Sequence, residues 1–343
     1  MADEISFLPL GAIIQSFTVG GVNIVQGFPT QELYVSHNGP YFGETIGRVA
    51  NRISNAKLAS VNGGKSYALA ANEGTNTLHG GIKGWGKRIW DGPKPVGTRS
   101  IPGLEGDLQG GESVEFTLRS EDGDEGFPGE LLVKVIYTTG KITEGGNQAT
   151  VLGMEYEAEL VSGAEETVIN MTNHSYFNLT GGPSIEGTVV QLCTPTYLPV
   201  DNIGIPTGGI TTFAKVATNE QFTLGPQEPN IDDCFVVDPS ASPKDVPIDT
   251  RGQPLVALVK AHHPESGIHL EVHSTEPAFQ YYTGKYINVA AVDGVPARSA
   301  RSGFCVEPSR YVNACNVDDW KSQMLLKKGE KYGCRIVYKA WKQ

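Results

Sequence analysis

The stretch TVINMTNHSYFNL, Thr167–Leu179, decides how this chain is read. Taken with period two, Val168, Asn170, Thr172, His174, Tyr176 and Asn178 fall on one face, and Ile169, Met171, Asn173, Ser175, Phe177 and Leu179 on the other. β-Branched and aromatic residues bracket the run and Thr180-Gly181-Gly182-Pro183 stops it, so a strand is expected. Its middle carries Asn, His, Asn, Ser and Asn where sheet interiors usually carry Val or Ile. A buried amide or imidazole without a partner costs about 1–3 kcal/mol, so such groups persist only with partners or a ligand. A hydroxyl-rich ligand would supply those partners. His174 is the pivot.

Outward from that stretch the β signal continues. Val151–Val161 alternates Leu152, Met154, Tyr156, Ala158 and Leu160 inward against Glu155, Glu157 and Glu159 outward. Ser113–Arg119, the run LLVKVIYTT, Ile268–Ser274 and Phe279–Tyr282 read as further strands. Residues 1–40 alternate weakly around Gly20-Gly21, which predicts short starting strands. The chain has 42 glycines and 21 prolines, above the ~12% the two usually contribute together. With no βαβ rhythm, no convincing helix longer than two turns, no repeat and no linker, the expected architecture is all-β. A large antiparallel β-sandwich forming one domain over residues 1–343 is predicted.

Bulk properties exclude several functions. The net charge is −11 over 343 residues, and Lys327-Lys328 beside Lys331 is too small a basic patch for nucleic acid. No apolar run approaches the 18 residues of a membrane span, and the N-terminus is acidic where a signal peptide is basic. Five cysteines without CxxC spacing read as reduced thiols. Three glycosylation sequons, at Asn170, Asn173 and Asn178, crowd the pivotal stretch, where attached sugars would wreck a site or a fold. A cytoplasmic protein is expected. His262-His263 and His269/His273 lack a third ligand at zinc spacing, and no phosphate loop, nucleophile elbow or dinucleotide fingerprint is present, so neither metal nor cofactor is expected.

Candidate chemistry lies in six places: Asn51/Arg52 in GRVANRI, His79 in NTLHGG, His174, the pair Asp232/Asp233, Gln280 and Glu307. Two glycines after His79 let the backbone approach something closely. Glu307 stands between Val306 and Pro308, surroundings that disfavour its charged form unless something pairs it; such a carboxylate suits a general base. GRVANRI, NTLHGG, NHSYFNL, LPVDNIGIPTG, DDCF and GFCVEP occur in this order along the chain.

In these motifs the sequence resembles the aldose 1-epimerase (galactose mutarotase) family, from about Gly47 to Glu307. The resemblance implies an antiparallel β-supersandwich with an open cleft, no metal and no cofactor. It further implies Glu307 as general base and His174 as general acid, with His79 on the ring-oxygen side. Asn51, Arg52, Asp232 and Gln280 would hold the sugar. An ionised Glu307 beside a protonated His174 is expected, each holding the other in its charged form. The partner implied is a small-molecule sugar, acted on by a monomer or weak homodimer. Two departures bear on substrate preference: Asp233 stands where the family often has histidine, and Ser309-Arg310 follow Glu307 where a glutamine is usual. The alternatives are a hexose-6-phosphate 1-epimerase, with Arg310 or Arg48 supplying cleft cations, and a non-catalytic sugar-binding module. A glycoside hydrolase built on Asp232 and Glu307 is a third.

Overall fold

The computed structural model describes residues 4–343. Two antiparallel sheets dominate. The larger has nine strands in the spatial order Phe222–Thr223, Val189–Leu192, Val256–His263, Ile268–Ser274, Lys331–Lys342, Asn147–Ser162, Glu130–Glu144, Gln109–Ser120 and Asp91–Thr98. The smaller has six, in the order Tyr176–Phe177, Phe304–Ser309, Ala278–Tyr282, Asp232–Val236, Thr196–Leu198 and Thr211–Thr212. The expected all-β sandwich is the observed fold.

One hydrophobic cluster joins the two sheets. Leu152, Met154, Tyr156, Ala158 and Leu160, the predicted inward set, meet Leu270, Val272, Ile336 and Tyr338 in it. Phe235, Phe279, Tyr281, Phe304 and Val306 enter the same cluster from the smaller sheet. Alternation then settles what the smaller sheet presents on its other face. With Phe279 and Tyr281 turned to the core, Gln280 must face away; with Phe304 and Val306 inward, Glu307 must face away too. Register places them side by side, Gln280 opposite Glu307 and Cys234 opposite Gln280, with Asp232 two residues along from Cys234 on the same face. Three polar side chains thus share one surface because their neighbours are apolar.

The pivotal stretch departs from its predicted form. It makes three short pairings rather than one strand: Glu166–Val168 with Leu325–Lys327, Thr172–Asn173 with Thr45–Ile46, and Tyr176–Phe177 with Phe304–Ser309. Both of its faces are buried. Its asparagines replace the missing ladder by bonding main chain directly. Asn170 Oδ1 accepts from Arg310 N at 2.9 Å, and Asn173 Nδ2 donates to the Gly43 carbonyl at 3.0 Å. Asn178 Nδ2 donates to the carbonyls of Gly182 and Ser302. The amides therefore satisfy protein backbone rather than a ligand, and from this stretch His174 and Tyr176 line the cleft described below.

A second departure is at Gln31–His37, an α-helix where short strands were expected. Thr30 caps it by accepting from Leu33 N, and Glu32 sits in the first turn, where acidic side chains favour the helix dipole.

Candidate active site

The unpaired face of the smaller sheet forms the floor of an open cleft of about 810 Å³, and all seven predicted site residues line it. Asp232, Gln280 and Glu307 come from three adjacent strands. His174 arrives from the turn between Thr172–Asn173 and Tyr176–Phe177, held by reciprocal backbone bonds to the loop at Gly43 and Glu44. Asn51, Arg52 and His79 belong to a two-stranded arm in which Arg52 pairs with Leu78. Asn51 and His79, together with Tyr41 in the cleft wall, adopt left-handed backbone conformations at φ +60°, +50° and +68°. Such conformations cost non-glycine residues of order 1 kcal/mol or more and concentrate at functional sites. The glycines after His79 do serve a close approach: a side chain on Gly80 would meet the Gly47 carbonyl oxygen at 2.1 Å.

Most of the cleft's polar groups are already bonded to one another. Asn51 Nδ2 donates to Gln280 Oε1 at 3.2 Å, and Gln280 Nε2 donates to Asp232 Oδ1 at 2.8 Å. Arg52 donates from Nε and Nη2 to the two carboxylate oxygens of Glu73, both at 2.6 Å, a bidentate clamp that leaves Nη1 for other contacts. Glu73 lies within the Gly- and Asn-rich run around His79, but nothing in that run distinguishes it from its neighbours. Asp233 points to the opposite face of its strand and pairs with Lys215 Nζ at 3.7 Å, as strict alternation requires.

His174 Nε2 and Glu307 Oε2 are 3.5 Å apart, both side chains almost fully buried. On the far side of the ring, Cys305 Sγ is 3.6 Å from His174 Nδ1. The protonation of this pair is the reverse of that expected from the sequence. Burial, reinforced by the Asp232 charge and only partly offset by Arg52, pushes the Glu307 carboxyl up to about 8. Burial likewise pulls the His174 imidazole down to about 3. Desolvation outweighs their mutual attraction because, among the described residues, no cation is in ion-pairing contact with Glu307. Both directions favour the protonated form of Glu307 facing a neutral imidazole.

His79, His174 and Glu307 bring possible metal-ligand atoms within 4.8 Å of one another. The hydrogen bonding of His79 bears on that. Its Nδ1 accepts from Asn51 N at 3.2 Å, and burial keeps the ring neutral, so the ring proton is on Nε2. His79 thus offers the cleft a donor, suited to an oxygen acceptor, rather than a lone pair for a metal.

The arginines suggested for a phosphate fall elsewhere. Arg310 is fully buried, 3.0 Å from Glu276, and bonds the carbonyls of Pro247 and Ile248. Arg48 is buried against the carbonyls of Pro128 and Gly129 and the Ser120 hydroxyl. Neither lines the cleft. A second groove, of about 700 Å³ along Gln15, Asn23, Gln26 and Asn178, contains no titratable side chain.

This geometry describes an open polar cleft with a buried Glu–His pair on one face of a large antiparallel β-sandwich. The family described as aldose 1-epimerase matches residues 3–339, and the chain belongs to that family. It is 36% identical over 320 residues to the galactose mutarotase of Bos taurus, covering 90% of this chain and 81% of the relative. It is 38% identical over 342 residues to the bifunctional protein GAL10 of Pachysolen tannophilus, covering 98% of this chain but only 45% of the relative. The chain thus spans about half the length of the GAL10 relatives it matches. A solved structure described as a GalM/aldose epimerase homologue from C. elegans superposes with a TM-score of 0.78 at 26% identity, covering 98% of this chain and 95% of that one.

Proposed function

We propose that the chain interconverts the α- and β-anomers of free aldohexoses such as glucose and galactose. The observation that carries this reading is the buried contact of Glu307 with His174, 3.5 Å apart at the floor of the cleft. Anomer exchange needs one group to take a proton from the C1 hydroxyl while another gives one to the ring oxygen as the C1–O5 bond breaks. Rotation about C1–C2 and reclosure then use the same two groups in reverse. A pair holding one proton is stoichiometrically right for this at every stage.

With Glu307 as base and His174 as acid, the proton resting on Glu307 must first pass to Nε2. A bound sugar favours that transfer, because a hydroxyl donating to Glu307 stabilises its carboxylate form. His79, with Nε2–H directed into the cleft, supports the developing charge on the ring oxygen. Arg52 through Nη1, Asn51, Asp232 and Gln280 hold the hydroxyls.

The burial of Arg310 and Arg48 argues against a phosphorylated hexose, and the buried pair argues against a purely binding module. The sugar is the only partner this reading requires, and the protein acts as a monomer or weak homodimer. Buried asparagines at all three sequons and five free cysteines support a cytoplasmic location. Polarimetry on freshly dissolved α-D-glucose and α-D-galactose tests the reading, with Glu307→Gln as control and reducing-sugar release from glycosides as counter-assay. Faster equilibration by the wild type alone is expected. No acceleration with either sugar, or hydrolysis instead, would overturn it.

A further inference from the structure

The motif LPVDNIGIPTG, residues 198–208, has no part in the proposed reaction, yet it forms one wall of the cleft. It folds into a compact loop whose ends are bridged by Val200 and Pro206. Asp201 holds the loop from within. Its Oδ1 accepts from Ile203 N at 3.0 Å and from Ile205 N at 2.9 Å, and its carbonyl accepts from Gly204 N at 3.2 Å. Its own N donates to the Ile205 carbonyl at 2.9 Å. An aspartate that bonds the backbone two and four residues on fixes a turn without help from the rest of the fold.

The loop is built against Arg52. Gly204, at φ +78°, brings bare backbone so close that a Cβ there would lie 2.9 Å from Arg52 Nε and Cζ and 3.0 Å from Cδ. Conformation and space both call for glycine at this position. On its other side the guanidinium is gripped by Glu73 through Nε and Nη2, both at 2.6 Å. The two supports are joined to each other. Asn76, which closes the turn bearing Glu73, donates from Nδ2 to the Ile203 carbonyl at 3.4 Å.

We infer that Gly204 and Asp201 are positioning residues for Arg52: the loop, fixed by Asp201 and bare at Gly204, presses the guanidinium onto Glu73 and so fixes where Nη1 can meet a sugar. This rests on the sugar-holding role proposed for Arg52. A carboxylate clamp alone fixes one edge of the guanidinium fork and leaves the long side chain free to swing about that edge. Backbone packed along Cδ, Nε and Cζ blocks the swing, so the ordering of Arg52 is complete before a sugar binds.

The test uses the full chain with Gly204→Ala and Asp201→Ala, each alone and combined with Arg52→Met. Polarimetry gives kcat and KM for α-D-galactose, and ¹⁵N NMR without sugar gives the hydrogen-exchange rate of the Arg52 Nε–H. Both loop variants should raise KM roughly tenfold, change kcat less than about threefold, and speed Nε–H exchange. In the Arg52→Met background neither should raise KM further, because the residue they act through is gone. Equal rises in KM with and without Arg52 would show a merely structural loop and overturn the inference. Should Gly204→Ala fail to fold, Asp201→Ala, which only removes atoms, decides alone. Unchanged Nε–H exchange in the loop variants that fold, beside normal mutarotation, sinks this inference and leaves the functional reading standing. Faster exchange in the variants, with no mutarotation by the wild type, sinks the functional reading instead. Faster exchange with unchanged KM refutes the sugar-holding role of Arg52, and the inference with it.

Discussion

Two glutamate–histidine pairs in this molecule have opposite fates. In the cleft, Glu307 lies 3.5 Å from His174 and its carboxyl is pushed up to about 8. On the nine-stranded sheet, Glu271 lies 3.0 Å from His273 and its carboxyl is held down to about 2. Both carboxyls lose hydration, Glu307 the more completely, and the neighbours widen the difference: Glu271 also meets Lys339 Nζ at 2.7 Å, whereas Glu307 has Asp232 nearby and, among the described residues, no cation in ion-pairing contact. A Glu–His pair with an added cation is a structural ion pair. Without one, and out of water, it becomes a proton store.

Breaking the cleft pair should have the largest effect. Glu307→Gln and His174→Asn should each lower kcat/KM for mutarotation by ~10²–10⁴-fold, because each removes one end of the proton transfer. The double variant should be little worse than either single variant, since both act in one unit. Polarimetry measures all three; near-multiplicative losses would show independent roles.

The next effect lies one strand over. Asp232→Asn should cost roughly tenfold or more in kcat/KM, the size expected for weakening a charge-assisted bond to a sugar hydroxyl. Asp233→Asn, on the opposite face with Lys215, should cost about threefold or less. Steady-state kinetics with a melting check on both variants would show whether the faces are assigned correctly; a reversed order would mean they are not.

The pH dependences sharpen the contrast, because the two pairs carry opposite signs. Activity should fall as pH rises through about 8, when the cleft pair loses its only proton, so that limb belongs to the pair. Stability follows by linkage. Glu307 is raised above its unfolded value of 4.5, so its burial destabilises progressively as pH rises from about 4.5 to about 8. Glu271 is depressed, so its contribution is present above 4.5 and lost as pH falls towards about 2. Denaturant titrations of Glu307→Gln and Glu271→Gln from about pH 2 to about pH 9 should show the first flattening the decline above about 4.5 and the second flattening the loss below it.

The smallest effect is expected from Glu271→Gln at neutral pH. It should cost about 1 kcal/mol of stability, since the pair is partly exposed and screened, and leave mutarotation unchanged. A loss of activity there would erase the distinction between the two pairs.

Alternation made much of the architecture legible in advance. Leu152 to Leu160 on one strand face gave that part of the core, whereas the direction of Glu307 follows from Phe304 and Val306 only once their strand is placed in the smaller sheet. The seven cleft residues were legible through motifs rather than periodicity. Thr167–Leu179 misled because side-chain amides satisfied the backbone where a strand ladder was expected, and no local pattern distinguishes those two uses of asparagine. The Gln31–His37 helix was missed although Thr30 marks its cap. Protonation was not legible at all. It depends on how far Lys339 and Arg52 stand from each carboxylate, and residues distant in sequence set those distances. Glu73 escaped because nothing in its own run sets it apart until Arg52 is seen to clamp it.

The row of bonds from Asn51 through Gln280 to Asp232 has a calorimetric consequence. Side chains that converge on a ligand usually surrender rotamer freedom when it arrives, about 0.5–1.5 kcal/mol for each one immobilised. Here three of them are already fixed by one another before any sugar enters. A hexose in this cleft exchanges water for pre-aimed partners and freezes little else. Its binding entropy should therefore reflect released solvent, and shortening Gln280 to Ala should worsen that entropy more than the enthalpy.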